Sequence, residues 1–439
     1  MDWNTQAAPR LITAMEKAVG DQHVPLAAAA VDAAGTTAVS LPADLPADRR
    51  FEIGSVTKTL TAILLALLAE EGVLDLEDPI GRWLDAGGNA SIRIDELATH
   101  TSGRPRIAPN VPVFGGTGAN DPWDGYGFAQ AEEGLRQSTR STDGAAWRYS
   151  NLGYQLLALI LERAANRSFA ELVTDRLFVP LGMLDSRVGP ASDGLLLAGR
   201  SGDGVDVPPA RHPLGAGGVE ATIGDLACYA QAVLRPPDSA LGEAITRTLR
   251  PRLRVQDGVE QALGWIVREG GVREHSGGTA GFTACVSVSG SAGRAVALLA
   301  GCGGSPARAS HFKQAAVLAL SGRDPLLAAA PEAFPQWRER ALGIGAGLLA
   351  GDFEGVHAGL AAPARARIAA TDLARAWASR SREAGDPSGE VEIVRQEQAV
   401  SGAMVVDLAI GFTRSRLRLR TVVLPTGEFG GFTFLPDSA

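Results

Sequence analysis

The chain reads as an α/β (α+β) protein, an antiparallel sheet flanked by helices plus an all-helical subdomain, followed by a small α+β domain. Three observations carry that reading. Apolar runs patterned like a hairpin near the amino terminus and glycine-divided β-like segments far downstream bracket a helical middle, so strands from both ends share one sheet. A helix apolar on most faces starts at Ser55 and belongs inside a domain. A composition shift from Gly322 to Pro335, rich in alanine and proline, sets the carboxy-terminal part of the chain apart.

Taken in order, residues 8 to 20 predict an opening amphipathic helix. Val24 to Val39 holds two apolar runs split by Asp32-Ala-Ala-Gly, the hairpin signal. The helix from Ser55 continues to about Glu71 and ends at Gly72, which breaks it. Another helix follows Asn151 through Leu156, Leu157, Leu159, Ile160 and Leu161. From Trp265 to Cys302 the pattern becomes strand-like, with Ala284 to Ser289 and Ala295 to Leu299 as the clearest runs. These assignments give a first domain over 1–321, a linker over 322–335 and a second domain over 336–439. The second is helical to about Ala384, then strand-like at Glu390 to Gln396, Ala403 to Phe412, Arg416 to Leu424 and Phe432 to Leu435. There is no internal repeat.

A chain of 439 residues exceeds one typical core, which agrees with one large and one small domain. Net charge of −8 and a pI near 5.4, without a run of arginines, argue against nucleic acid as a partner. Cys228, Cys285 and Cys302 are scattered without metal-ligand spacing; free thiols in a reducing compartment are expected, with no metal or other cofactor. The longest apolar run, Leu60 to Leu68, stops well short of the roughly 20 residues that span a bilayer. No basic region followed by an apolar stretch stands at the amino terminus. The expectation is a cytoplasmic protein without a membrane partner.

Lysine is nearly absent: Lys17, Lys58 and Lys313 are the only three among 41 basic residues. Arginine stays protonated in proteins, whereas lysine can be made neutral by burial, so only lysine can act as a base. Lys58 follows Ser55 by three residues, one helical turn along the same face. Further on come Leu97-Ala-Thr-His-Thr-Ser-Gly103, then Tyr149-Ser-Asn151 before a helix, in a chain with four tyrosines. Gly215-Ala-Gly-Gly-Val-Glu-Ala-Thr-Ile-Gly-Asp-Leu226 and His275-Ser-Gly-Gly-Thr279 complete the series. Trp123, Tyr126 and Phe128 sit in a glycine- and proline-rich stretch that could wall a pocket or only anchor a loop. His100 reads as part of a turn after a helix.

Ser55/Lys58, Tyr149/Asn151 and His275/Gly277, in that order and spacing, resemble the three motifs of the serine β-lactamase and penicillin-binding-protein superfamily. The resemblance covers roughly residues 8 to 320 and points to the branch of class C β-lactamases, esterases, D-peptidases and thioesterases or transacylases. Residues 336 to 439 more weakly resemble an NTF2-like accessory domain. The resemblance implies Ser55 as nucleophile, Lys58 as its base and Tyr149 as a proton relay. It also implies that Asn151 orients Lys58 and meets a substrate amide carbonyl. The backbone N–H groups of Ser55 and Gly278 would form the oxyanion hole. Trp123, Tyr126 and Gly277 are the candidate substrate contacts.

One position departs from the pattern. His275 stands where antibiotic-cleaving members usually carry a lysine that grips a carboxylate, and a histidine is mostly neutral at pH 7. The expected function is therefore acyl transfer from an ester, thioester or activated amide to an amine or water, within a small-molecule biosynthetic pathway. The alternatives are a carboxylesterase, β-lactamase or D-stereospecific peptidase, and, from another class, a sensor acylated once without turnover. The expected partners are a small-molecule acyl donor and an amine acceptor. For the second domain, covering the site, homodimer formation and carrier binding stay open.

Overall fold

The computed structural model describes all residues except 1, 112–122, 124, 139–146, 191, 202–203, 209–211, 304–305, 328–335, 366–368, 399–403, 425 and 436–439. The chain divides into two units, Met1–Leu327 and Ala328–Ala439. Residues 328–335 of the expected linker lie outside the described residues.

In the first unit, strand β1 (Leu26–Asp32) is apolar through Val31 because both its faces are covered. It forms a hairpin with β2 (Gly35–Leu41), Asp32 lying opposite Gly35. The Asp32 carboxylate accepts the Ala34 N–H at 2.8 Å, a local bond that favours the turn. Six later strands complete the sheet: β3 (Leu253–Gln256), β4 (Val259–Gln261), β5 (Ile266–Arg268), β6 (Val272–Gly278), β7 (Thr283–Ser289) and β8 (Arg294–Ala300). Their order is β2-β1-β8-β7-β6-β5-β4-β3, with antiparallel pairing throughout. Leu26 lies opposite Ala300, so the two ends of the unit meet in the sheet. Strands β3 and β4 extend it beyond the expected start at Trp265; at four and three residues they are too short for alternation to be legible.

Period-2 alternation sorts β1 between two cores. Ala27, Ala29 and Val31 face a core shared with α2 (Thr57–Glu70) and α3 (Asn151–Ala165), whereas Leu26 and Ala28 face a second core. That second core is covered by α1 (Trp3–Val19) and α5 (Pro306–Leu320). Helix α1 begins at Trp3, earlier than residue 8, because the Trp3 indole N–H donates to the Ala319 carbonyl of α5 at 3.1 Å. On the other face lies α4 (Ile223–Leu234), packed on β1 and β8. The short helices Ile94–Ala98, Phe128–Gln137 and Phe169–Val173 gather around α3 as a helical layer. Thr57 to Leu68 is buried without interruption, which is why α2 has so apolar a sequence.

The second unit is a four-stranded antiparallel meander: β9 (Pro387–Gln398), β10 (Met404–Phe412), β11 (Arg416–Val423) and β12 (Phe429–Leu435). Helices α6 (Trp337–Ala350) and α7 (Ala370–Ala384) pack on it. Alternation sends Leu417, Leu419, Thr421 and Val423 inward. Buried Asp407 on the central β10 is matched by Arg420 at 2.7 and 2.8 Å, a paired fork that offsets its desolvation. Among the described residues no helix is long and apolar enough to cross a membrane, and no cluster of His, Cys, Asp and Glu could hold a metal ion.

Candidate active site

The site starts where a two-residue strand, Phe51–Glu52, pairs with Val219–Ala221 and delivers the chain to a single 3₁₀ turn, Gly54–Val56. Ser55 sits half-buried in that turn, and Lys58 follows as the second residue of α2. Lys58 Nζ lies 3.0 Å from Ser55 Oγ and donates to the Ala216 carbonyl at 2.7 Å. Burial, reinforced by the Arg106 charge, holds the Lys58 ammonium pKa well below the ordinary amine range. The helix amino terminus also disfavours a cation there. A neutral amine keeps an N–H for Ala216 and turns its lone pair to the Ser55 hydroxyl, which is what a base requires.

Tyr149 lies beside this pair, its ring centroid 4.9 Å from Lys58 Nζ. Burial pushes its hydroxyl up to about 12, while a hydrogen bond with Ser55 and the Arg106 charge pull the other way. The group is a neutral phenol near pH 7, suited to passing a proton between Ser55 and a departing group; the base is Lys58. Asn151 opens α3, but the cap of that helix is Ser150, whose hydroxyl accepts the Gly153 N–H at 2.9 Å. The task of orienting Lys58 falls to the Ala216 carbonyl. Among the described residues Asn151 Oδ1 is buried with no hydrogen-bond partner, and its backbone N–H donates to the Arg106 carbonyl at 2.9 Å.

The third wall is the end of β6. His275 is buried, its Nδ1 lies 2.9 Å from the Ser276 carbonyl, and its ring centroid is 6.4 Å from that of Tyr149. Burial above all pushes its pKa down to about 3, so the imidazole is neutral across the physiological range. Backbone meets backbone where β6 touches the serine turn. A Cβ on Gly277 would lie 1.8 Å from the Ile53 carbonyl oxygen and 3.0 Å from the Ser55 nitrogen. One on Gly54, which has φ +49°, would lie 2.8 Å from the Gly278 nitrogen. Glycine at both positions lets the Ser55 and Gly278 amides approach the same spot beside the nucleophile.

The aromatic candidates divide differently. Trp123 and Tyr126 pair edge to face at 5.4 Å, and the Tyr126 hydroxyl is committed to Asn110 Oδ1 at 2.8 Å and the Gln130 carbonyl at 3.2 Å. These contacts tie Tyr126 to Asn110 and to the helix Phe128–Gln137, the anchoring one of the two roles read from the sequence. His100, read as a turn residue, indeed adopts φ +62°, yet it also supports the site. Its Nδ1 accepts the Ser150 N–H at 3.1 Å and its ring packs 4.5 Å from Tyr149. Trp147, bonded through its indole to Gln261 at 2.8 Å, packs 5.9 Å from His100. Sequence reasoning missed Arg106, Trp147 and Ala216; only the glycine run around Ala216 gave a signal.

Both buried histidines carry a pH consequence. Burial holds the His100 and His275 pKa values below the ordinary 6.5, so the unfolded chain takes up protons that the folded one refuses. Their contribution to stability is complete above about pH 6.5 and is lost as pH falls toward the folded values, by at most about 1.4 kcal/mol per pH unit for each. The thermal midpoint is expected to fall between pH 7 and 5.5, and His275→Asn should flatten that fall. An equal fall in the variant refutes the assignment.

Comparison with known proteins agrees with the fold. The family model described as Beta-lactamase matches residues 11–320. Penicillin-binding protein 4* of Bacillus subtilis (strain 168) is 29% identical over 266 residues, covering 53% of this chain and 56% of that protein. Esterase EstB of Burkholderia gladioli is 30% identical over 183 residues, covering 37% of this chain and 46% of the esterase. The chain thus spans about half the length of the curated relatives it matches. The crystal structure of a class C beta lactamase from Rhodobacter sphaeroides superposes with a TM-score of 0.61 at 17% identity, covering 72% of this chain and 99% of that one. At that identity the likeness concerns the fold alone.

Proposed function

The chain belongs to the beta-lactamase family, and from that premise we propose that it is a serine acyl-enzyme catalyst that takes an acyl group from an ester, thioester or activated amide and hands it to an amine or to water. The observation that carries this reading is the buried Lys58 Nζ, 3.0 Å from Ser55 Oγ and held there by Ala216. As Ser55 Oγ bonds to the substrate carbonyl carbon, its proton moves to Lys58. The resulting oxyanion meets the Ser55 and Gly278 N–H groups. When the bond to the leaving group breaks, the proton returns through the Tyr149 hydroxyl to the departing atom, leaving an ester on Ser55. An amine or water then attacks that ester by the reverse path.

Neutral His275 disfavours a β-lactam, whose carboxylate needs a cation at that position. A second reading, hydrolysis proper as in an esterase or D-peptidase, uses the same residues and differs only in the acceptor. The test is a panel of esters, thioesters, D-configured amides and β-lactams, with and without amines, read by intact mass and peptide mapping. An acyl ester on Ser55, formed from an ester or thioester donor with release of its alcohol or thiol, is expected, with turnover raised by an amine. No adduct, together with unchanged turnover in Ser55→Ala, would sink the proposal. A stoichiometric burst without turnover across the panel would favour a sensor.

A further inference from the structure

We propose that Arg106 is the anion-recognition residue of this site and that the acyl donor carries a carboxylate on its acyl portion, an inference that rests on the acyl-transfer reading above. Arg106 Cζ lies 5.1 Å from the centroid of the Tyr149 ring, the same ring that Lys58 Nζ approaches to 4.9 Å. Its guanidinium therefore stands beside the Tyr149 ring, whose hydroxyl hydrogen-bonds with Ser55. Arg106 is exposed, and among the described residues its side chain makes no hydrogen bond or ion pair.

The neighbouring arginine shows what a structural role looks like here. Arg104, fully buried, donates to Asn89 Oδ1 at 2.9 Å and to the Ser138 hydroxyl at 2.9 Å, locking the loop to the helical layer. Several surface arginines of this acidic unit are matched by carboxylates, as in Arg163 with Glu132 and Arg82 with Asp78, while Arg49 and Arg187 bond to backbone carbonyls. Arg106 is instead stacked on an aromatic face, which orients the plane and leaves its N–H fork free for a bidentate partner.

Chemistry makes that freedom informative. Lys58 and His275 both work as neutral groups, so neither can neutralise a substrate anion. Arg106 supplies a cationic side chain beside the Tyr149 ring, whereas His275, where the antibiotic-cleaving pattern would have placed a lysine, lies 6.4 Å from that ring. Its carbonyl accepts the Asn151 N–H at 2.9 Å, which ties it to the residue expected to meet the acyl group. A carboxylate a few bonds from the scissile carbonyl, on the acyl side, fits this arrangement.

The test compares p-nitrophenyl hydrogen adipate with p-nitrophenyl hexanoate, which differ by a carboxylate in place of a terminal methyl. Wild type should favour the adipate in kcat/KM by about tenfold or more, a preference that shrinks at high salt. Arg106→Gln should bring the ratio near one, Arg106→Lys should retain part of it, and Arg106→Glu should invert it. The same ratio in wild type and Arg106→Gln overturns the proposal. So does an equal loss on both esters, which would make Arg106 only a tuner of Lys58. Intact mass separates the two failures: Ser55 acylated by hexanoate with an unchanged ratio removes only the role of Arg106, whereas no adduct from either ester removes the acyl-transfer reading as well.

Discussion

Replacing Lys58 with methionine is expected to lower kcat/KM by about a thousandfold or more, because the proton of Ser55 then has no acceptor within reach. Lys58→Arg should be as inactive, since a guanidinium stays charged and cannot take the proton. The effect on stability should run the other way. Unfolding lets Lys58 reach water and protonate, a gain for the unfolded chain that methionine removes, and a thioether fills the same buried space. We expect Lys58→Met to raise the thermal midpoint by about 2 °C. In the wild type, kcat/KM should fall as pH drops through the depressed Lys58 pKa. Steady-state kinetics and thermal unfolding on the two variants check all three; an active Lys58→Arg would refute the role of base.

Gly277→Ala should cost about 100- to 1,000-fold in kcat, the loss typical of a displaced oxyanion donor. The added Cβ cannot coexist with the Ile53 carbonyl oxygen at 1.8 Å, so the end of β6 must retreat from the serine turn. Central strand β6 is pinned by β7 and β5, and overpacking it should also destabilise the unit by about 1–3 kcal/mol. Gly290→Ala, whose Cβ would meet nothing within 4 Å, is the control. Rates of Ser55 acylation and thermal midpoints of the two variants decide the matter. A Gly277→Ala enzyme that acylates at the wild-type rate would refute the close approach.

How much was legible depends on the range of each interaction. Ser55 and Lys58 were readable because a helix turn joins them, and Gly277 through the motif it shares with His275; its close approach to Ile53 belongs to the fold. The ends of α1, the two short strands β3 and β4, and the cap at Ser150 were not, since each depends on a partner that local pattern does not reveal. Ala216 reaches Lys58 across 158 residues through its backbone, which no side-chain pattern encodes. Arg106 looks in sequence like any arginine of an arginine-rich chain. Tyr126 read equally as pocket wall or loop anchor, and its bond to Asn110 is visible only in the fold.

The sequence by itself determined which chemical groups are present and in what order: one lysine able to lose its proton beside a serine, a tyrosine, and a histidine in place of a second cation. Only the tertiary structure decided their protonation. Burial among α2, α3 and β6 disfavours the charged forms of Lys58 and His275 and keeps Tyr149 a phenol, while Arg106 sits exposed over the Tyr149 ring. The physical reason is that a pKa answers to solvation and neighbouring charge, and both are properties of the assembled site.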